Sequence, residues 1–445
     1  MSLARSRLPQ PLRRSSRKPS TTSPGSIPAT DGDPRSLRES ICDVTDEDGT
    51  PRAGQLGRAL SLLESWTRWL EAERARGLVD SAENERYRKF MEGLIRLTRR
   101  DGSIVLGNGH LHEGQPQGGV QRQVWSNAAR LVEPRLQKLL SEVLGGGIAG
   151  RASSKQGSLP SPSANSEEAG LAVLRPTWSS PRLVVDYHSS QLRLALDYGG
   201  ELLVCGDCNP RLMIDGTPLE PLSRWESTCW VTDDDVDYLE LELSLTGDVR
   251  VQRHLVFARE DQLVFIADAV LGGPPGVIDY QLALPLAEGV SVECGDQTRE
   301  TALVKRGRRR ATVLPLGLSE WKGDRSRGEL HTGTGVVELR QSAAGAANLF
   351  APWFIDLEPR RFSRPITWRQ LTVAEERQIQ PDDAAVGYRV QVGTRQWLFY
   401  RSLIACGNRT LLGHNLISEF LAARFSRRGV PETLIEIEAS LDENE

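Results

Sequence analysis

Histidine is the side chain that gains or loses its charge between pH 5 and 8, so proton transfer is sought there first. The chain has six: His110, His112, His188, His254, His331 and His414. His110 and His112 fall in a polar Gly-rich loop over 107–114, where an extended His-x-His pair would share one side; a solvated loop is the plainer reading. His188 follows Tyr187 and opens the first run of two-residue period. His254 alternates with the apolar positions Val251 and Leu255, which places it on a wet sheet face. Cysteine is next. Cys205-Gly-Asp-Cys208, together with Cys229, has the spacing of half a structural zinc site, which needs a fourth ligand; a tight hairpin with free thiols fits as well. The third constellation is Lys305-Arg-Gly-Arg-Arg-Arg310. Arg308, Arg309 and Arg310 could hold sulfates or carboxylates, because guanidinium forks pair with such groups; a solvated hairpin is the alternative. Trp225 belongs to a set of strand-associated tryptophans of the kind that stack on sugar rings or fill a core. Gly-x-Ser-x-Gly is absent, and Gly107-Asn-Gly109 has no following Gly-Lys-Ser/Thr. A hydrolase elbow and a nucleotide site are therefore not supported.

The elements that must position these residues follow from composition and period. The 445 residues carry 55 Lys and Arg against 59 Asp and Glu, a net charge of −4, which argues against a nucleic-acid binder. No window approaches eighteen apolar residues, so no transmembrane helix is expected. The N-terminus is basic without the apolar core of a signal peptide, and a cytoplasmic location is the default expectation. Six cysteines in a chain this long do not suggest a disulfide framework. Residues 1–55 read as a disordered basic tail, rich in Ser, Pro, Arg and Gly. Residues 56–144 read as three to four helices with one-sided apolar stripes, which need a partner surface. Residues 145–180 read as a flexible low-complexity linker. From 181 to 445 the period changes to two, as in Leu239, Leu241, Leu243 and Leu245, and turn dipeptides recur. This predicts a mainly β chain ending in a large antiparallel two-sheet β-sandwich with one wet and one dry face.

Three stretches, in this order of parts, resemble the heparinase II/III-like polysaccharide lyases. The run from Tyr87 to Ser103, ending Asp101-Gly-Ser103, is similar to a helix of that family's α/α toroid. His188-Ser-Ser-Gln-Leu-Arg-Leu-Ala-Leu196 and Glu201-Leu-Leu-Val204 are similar to the opening of its sandwich. Arg253-His-Leu-Val-Phe257 and Asp261-Gln-Leu-Val-Phe-Ile-Ala-Asp268 are similar to its central strand pair. The resemblance implies part of a toroid followed by a sandwich, with a catalytic cleft between them. A complete toroid needs at least twice the helices counted here. The family's His-x-Asp reads His188-Ser-Ser, and its later His-Asn-Thr falls on the segment Trp225–Trp230, which has no histidine.

The resemblance further implies β-elimination on a uronate polymer. A base removes the proton beside the carboxylate, a cationic group neutralises that carboxylate, and an acid protonates the leaving oxygen. His188 is the implied base or neutralising group, and Tyr187 or Tyr198 the nearest acid. Arg308, Arg309, Arg310 and Trp225 would bind the acidic polysaccharide. Related lyases can carry a structural metal in the sandwich, and here His188, Cys205, Cys208 and Cys229 would form the replacement zinc site. The alternative is a non-catalytic heparinase-like sandwich that binds glycan or a protein, with a partner covering the helical face. Fold resemblance does not decide between them.

Overall fold

A computed structural model of the chain describes residues 34–107, 118–145, 159–179, 181–405, 407–426 and 429–438. Five helices come first: α1 (Pro34–Val44), α2 (Ala59–Arg76), α3 (Ser81–Leu97), α4 (Gly118–Ala129) and α5 (Pro134–Gly145). Local chemistry sets their ends. The Asp80 carboxylate, for example, caps α3 by accepting from the Ala82 and Glu83 amides. Apolar residues three and four apart form the buried stripes: Leu63, Trp66 and Leu70 on α2, and Phe90, Leu94 and Leu97 on α3. These stripes share a core with Leu171, Val173, Val184 and Ala195 of the first sheet. The partner surface they require is thus supplied within the chain. Among the described residues no helix is long and apolar enough to cross a membrane.

Two expected boundaries move. α1 forms inside the stretch read as a tail, where Ile41 and Val44 are buried in the helical core. The stretch read as a linker holds the strands Ala164–Ser166 and Leu171–Leu174. Leu-Ala-Val-Leu is buried at every position, but a four-residue run shows too little period to stand out from polar surroundings.

The strands Ala164–Ser166, Leu171–Leu174, Arg182–Asp186, Arg193–Tyr198 and Glu201–Asp207 form a meander in chain order. An eight-stranded antiparallel sheet packs behind it, centred on Val236–Ser244, Arg250–Ala258, Leu263–Leu271 and Leu349–Asp356. Alternation along Arg250–Ala258 sends Val251, Leu255 and Phe257 into a core shared with the meander. Val256 and Ala258 enter a second core with Trp397, Phe399 and Phe420 of the C-terminal sheet. The chain is therefore mainly β after an N-terminal helical segment, as its period indicates. The expectation of one wet sheet face is corrected: the central sheet is covered on both sides. His254, read as solvent-facing, is fully buried and stacks on Phe420 at 4.7 Å between ring centres.

Candidate functional site

The strand Arg182–Asp186 ends at the seam between the helices and the meander, and Tyr187 and His188 follow. Residues two apart in extended chain share a side, and His188 Nδ1 lies 2.6 Å from Asp186 Oδ1. A carboxylate only accepts, so Nδ1 carries a proton, and in the neutral imidazole Nε2 keeps its lone pair. Asp186 is completely buried, whereas the His188 side chain is 43% exposed. The other carboxylate oxygen lies 3.6 Å from Arg193 Nη1 and makes no hydrogen bond.

Close packing across the seam fixes this pair. Gly54, in the 3-10 turn Ala53–Arg58, faces the imidazole so closely that a Cβ there would lie 3.0 Å from Nε2. Gly170 passes beneath at φ +62, and a Cβ there would come within 2.4 Å of His188 Cα. Polar contacts tie the two sides together: the Ala53 amide donates to Ala169 O at 2.9 Å, and Ser166 Oγ donates to Asp46 Oδ2 at 2.7 Å. Arg52 pairs with Glu168 at 2.5 Å.

The other implied residues are not gathered at His188. The Tyr187 hydroxyl donates to Asn165 Oδ1 at 2.6 Å, and burial, then Glu167, push its pKa above the usual tyrosine range. It is a buried strut rather than an open acid. Tyr198 sits at the far end of the strand that pairs Arg193 with Asp186, five residues or roughly 16 Å away at about 3.3 Å per residue. Trp225 is buried beneath the Arg253 guanidinium, 5.1 Å from its ring centre, so it is core and not a sugar platform. Arg309 donates to Phe362 O at 2.9 Å, and Arg310 pairs with Glu201 at 2.6 Å. Arg308 is exposed at the end of that hairpin. His110 and His112 lie outside the described residues.

The zinc reading is also corrected. Cys208 is in the core between meander and central sheet, Cys205 packs against the helical core, and Cys229 packs against the C-terminal core. The three thiols therefore lie in different layers. Among the described residues no three His, Cys, Asp or Glu side chains gather where they could hold one metal ion. Burial raises all three thiol pKa values, that of Cys208 to about 11, which opposes the thiolate form a metal needs.

Two parts of the site escaped the sequence reading. Asp186 precedes His188, whereas the resemblance directs attention to positions after it; the Asp-x-His spacing at a strand end was the available clue. Arg224 was overlooked beside Trp225. The Trp225 amide donates to Ser189 O at 3.1 Å, which brings exposed Arg224 next to the His188 loop. From Ser190 and Gln191 a groove of about 620 Å³ runs over the adjoining sheet. Its lining includes Asp207, Glu220, Asp279 and Glu338 but a single basic residue, Arg211.

No family profile matches the chain, and no curated protein does. Solved structures do. A mutant of heparan sulfate lyase HepC from Pedobacter heparinus superposes with a TM-score of 0.59 at 12% identity, over 83% of this chain and 61% of that one. The unmutated HepC gives 0.58 at 12% identity, over 86% of this chain and 61% of that one. A heparinase III gives 0.51 at 12% identity, over 83% and 62%. The chain thus spans less than two thirds of the length of these structures. At such identity the likeness concerns architecture: this chain has a heparinase-like fold.

Proposed function

We propose that the chain acts on an acidic, uronate-containing polysaccharide by β-elimination, with His188 as the base. One observation carries this reading. A partly exposed imidazole at the helix–sandwich seam has its Nδ1 held by a sealed carboxylate, which leaves Nε2 as the acceptor. An imidazole oriented in this way can serve as a general base. In the step proposed, Nε2 removes the proton on the carbon beside the uronate carboxylate. Those electrons form the ring double bond as the bond to the leaving glycosidic oxygen breaks. The leaving oxygen takes a proton from water or from the imidazolium just formed. Arg224 offers the positive charge that the developing enolate requires, since it is exposed and makes no ion pair with another described side chain.

A second reading has its own support. The Tyr187 hydroxyl is engaged, and the adjoining groove is lined mainly by carboxylates, which repel a polyanion. The chain would then bind a glycan without cutting it. An absorbance assay for unsaturated uronate, run on a panel of uronate polymers, separates the two. Product formed by the parent and lost in folded His188→Ala supports the lyase. A folded parent that binds polymer and forms no product establishes the second reading instead.

A further inference from the structure

A second groove, of about 380 Å³, opens between the central sheet and the C-terminal sheet, on the opposite side of the central sheet from the layer that holds His188. Its lining includes Trp321, the guanidinia of Arg325, Arg327 and Arg369, and the carboxylates of Glu320, Asp324 and Asp382. Trp321 is 49% exposed, unlike Trp66, Trp125, Trp225, Trp353 and Trp397, which are sealed in cores. An exposed indole on a fixed backbone presents a flat apolar face that a ligand ring can cover.

The fixing is extensive. The Arg299 guanidinium donates to Ser319 O at 2.8 Å, to Ser319 Oγ at 2.7 Å, to Trp321 O, and to Lys322 O at 3.2 Å. The Lys322 amide donates back to Gln297 O at 2.8 Å. Below the loop, Glu320 Oε2 accepts from the Thr367 hydroxyl at 2.5 Å and from the Trp368 amide at 3.1 Å. Arg327 is spent on Asp382. Arg325 and Arg369 are exposed and make no ion pair with another described side chain.

From this arrangement we infer that the Trp321 groove is a saccharide subsite for an anionic sugar, one carrying a carboxylate or a sulfate. The indole face receives the apolar face of a pyranose ring, and the two free guanidinia take its anionic substituent. The inference shares with the proposed function only the class of polymer. Its place across the central sheet from the layer that holds His188 makes it an anchoring site, so it is read by binding and not by cleavage.

The test is titration calorimetry on full-length His188→Ala protein, which cannot consume the probe through His188. The probes are hexagalacturonate, a sulfated hexasaccharide and neutral maltohexaose. Trp321→Ala should weaken binding of the preferred anionic probe at least tenfold with the melting temperature unchanged. Arg325→Ala and Arg369→Ala should each weaken it severalfold and flatten its salt dependence. Maltohexaose should bind more weakly than either anionic probe. Whichever anionic probe binds more tightly identifies the substituent. Equal binding by Trp321→Ala and its parent overturns the inference, as does absence of binding by the parent at millimolar probe. Binding lost in Trp321→Ala while the parent shows no lyase activity would leave this subsite standing and remove only the proposed chemistry.

Discussion

Asp268 and Asp186 are both completely buried in the β-region, and each holds a basic side chain: Asp268 holds Arg253, and Asp186 holds His188. Asp268 is saturated. It accepts from Arg253 Nε at 2.6 Å, from Arg253 Nη2 at 2.7 Å and from the Tyr280 hydroxyl at 2.8 Å, and Arg253 is itself sealed. Asp186 is half used: one oxygen holds the imidazole, and the other makes no hydrogen bond. Its partner reaches solvent. The same chemical pairing therefore gives a structural clamp in one place and an accessible proton acceptor in the other. What separates them is whether the basic partner can meet a ligand.

The clamp is the first place to strain that distinction. Asp268→Asn leaves a buried guanidinium without its counter-charge, and removing one member of such a pair costs about 3–5 kcal/mol. Urea unfolding should report a loss of that size. Replacing Arg253 and Asp268 together by apolar residues should destabilise less than Asp268→Asn alone, because no orphaned charge remains. A single variant no worse than the double would mean that Asp268 is not a clamp. At the seam the balance is reversed. Asp186→Asn should lower any lyase rate by about 10² or more, the scale of general-base catalysis, while shifting the unfolding midpoint less than Asp268→Asn does. The amide can offer its NH2 to Nδ1 and so favour the wrong tautomer. The split between kcat and KM separates a positioning role from general loosening, since Asp186→Asn should lower kcat at unchanged KM and a control that only destabilises should not.

The sequence disclosed the helical segment and the antiparallel strands because both rest on period. Leu239, Leu241 and Leu243 do point into one core together. Period could not disclose what covers the other side of the sheet. Glu240, Gln252 and His254 look like solvent positions, and they are buried because a third sheet packs over them. The proposed site was legible at His188 and not at the carboxylate that holds its imidazole. Arg308, Arg309 and Arg310 misled for a related reason: a dense run shows charge, but only the fold shows that Arg310 is committed to Glu201 and Arg309 to Phe362.

His254 tests whether burial alone can turn a histidine into a liability. Its Nδ1 lies 2.9 Å from the Tyr238 hydroxyl, which donates to Glu240 Oε2 at 2.6 Å, so Nδ1 carries the proton. Nε2 is then a bare acceptor without a partner. Burial, and next the Arg401 charge, hold its pKa well below the histidine range. The folded state keeps His254 neutral, while the unfolded chain takes up the proton near pH 6.5. Stability contributed by His254 is thus complete above about pH 6.5 and falls as the pH drops below it, by up to about 1.4 kcal/mol per unit. Unfolding midpoints of the parent and His254→Gln, compared from pH 7.5 to 5, should converge on acidification. A constant gap would show that the imidazole binds its proton equally well in the folded and the unfolded chain.

The smallest expected effect is also the sharpest check on where the chemistry lies. Tyr198 shares a strand with Arg193, but it sits beside Glu201 at the end where Arg310 is held. Burial, and then Glu358, raise its pKa, which makes it a poorer acid than an exposed tyrosine. A phenol roughly 16 Å from Asp186 along the strand cannot reach a leaving oxygen whose sugar is in contact with Nε2. Tyr198→Phe removes only the hydroxyl, so it should leave both the lyase rate and the unfolding midpoint within error of the parent, under about 0.5 kcal/mol. A rate loss comparable to that of Asp186→Asn would move the reacting centre to the opposite end of the meander. His188 and Asp186 would then be reduced to a second clamp.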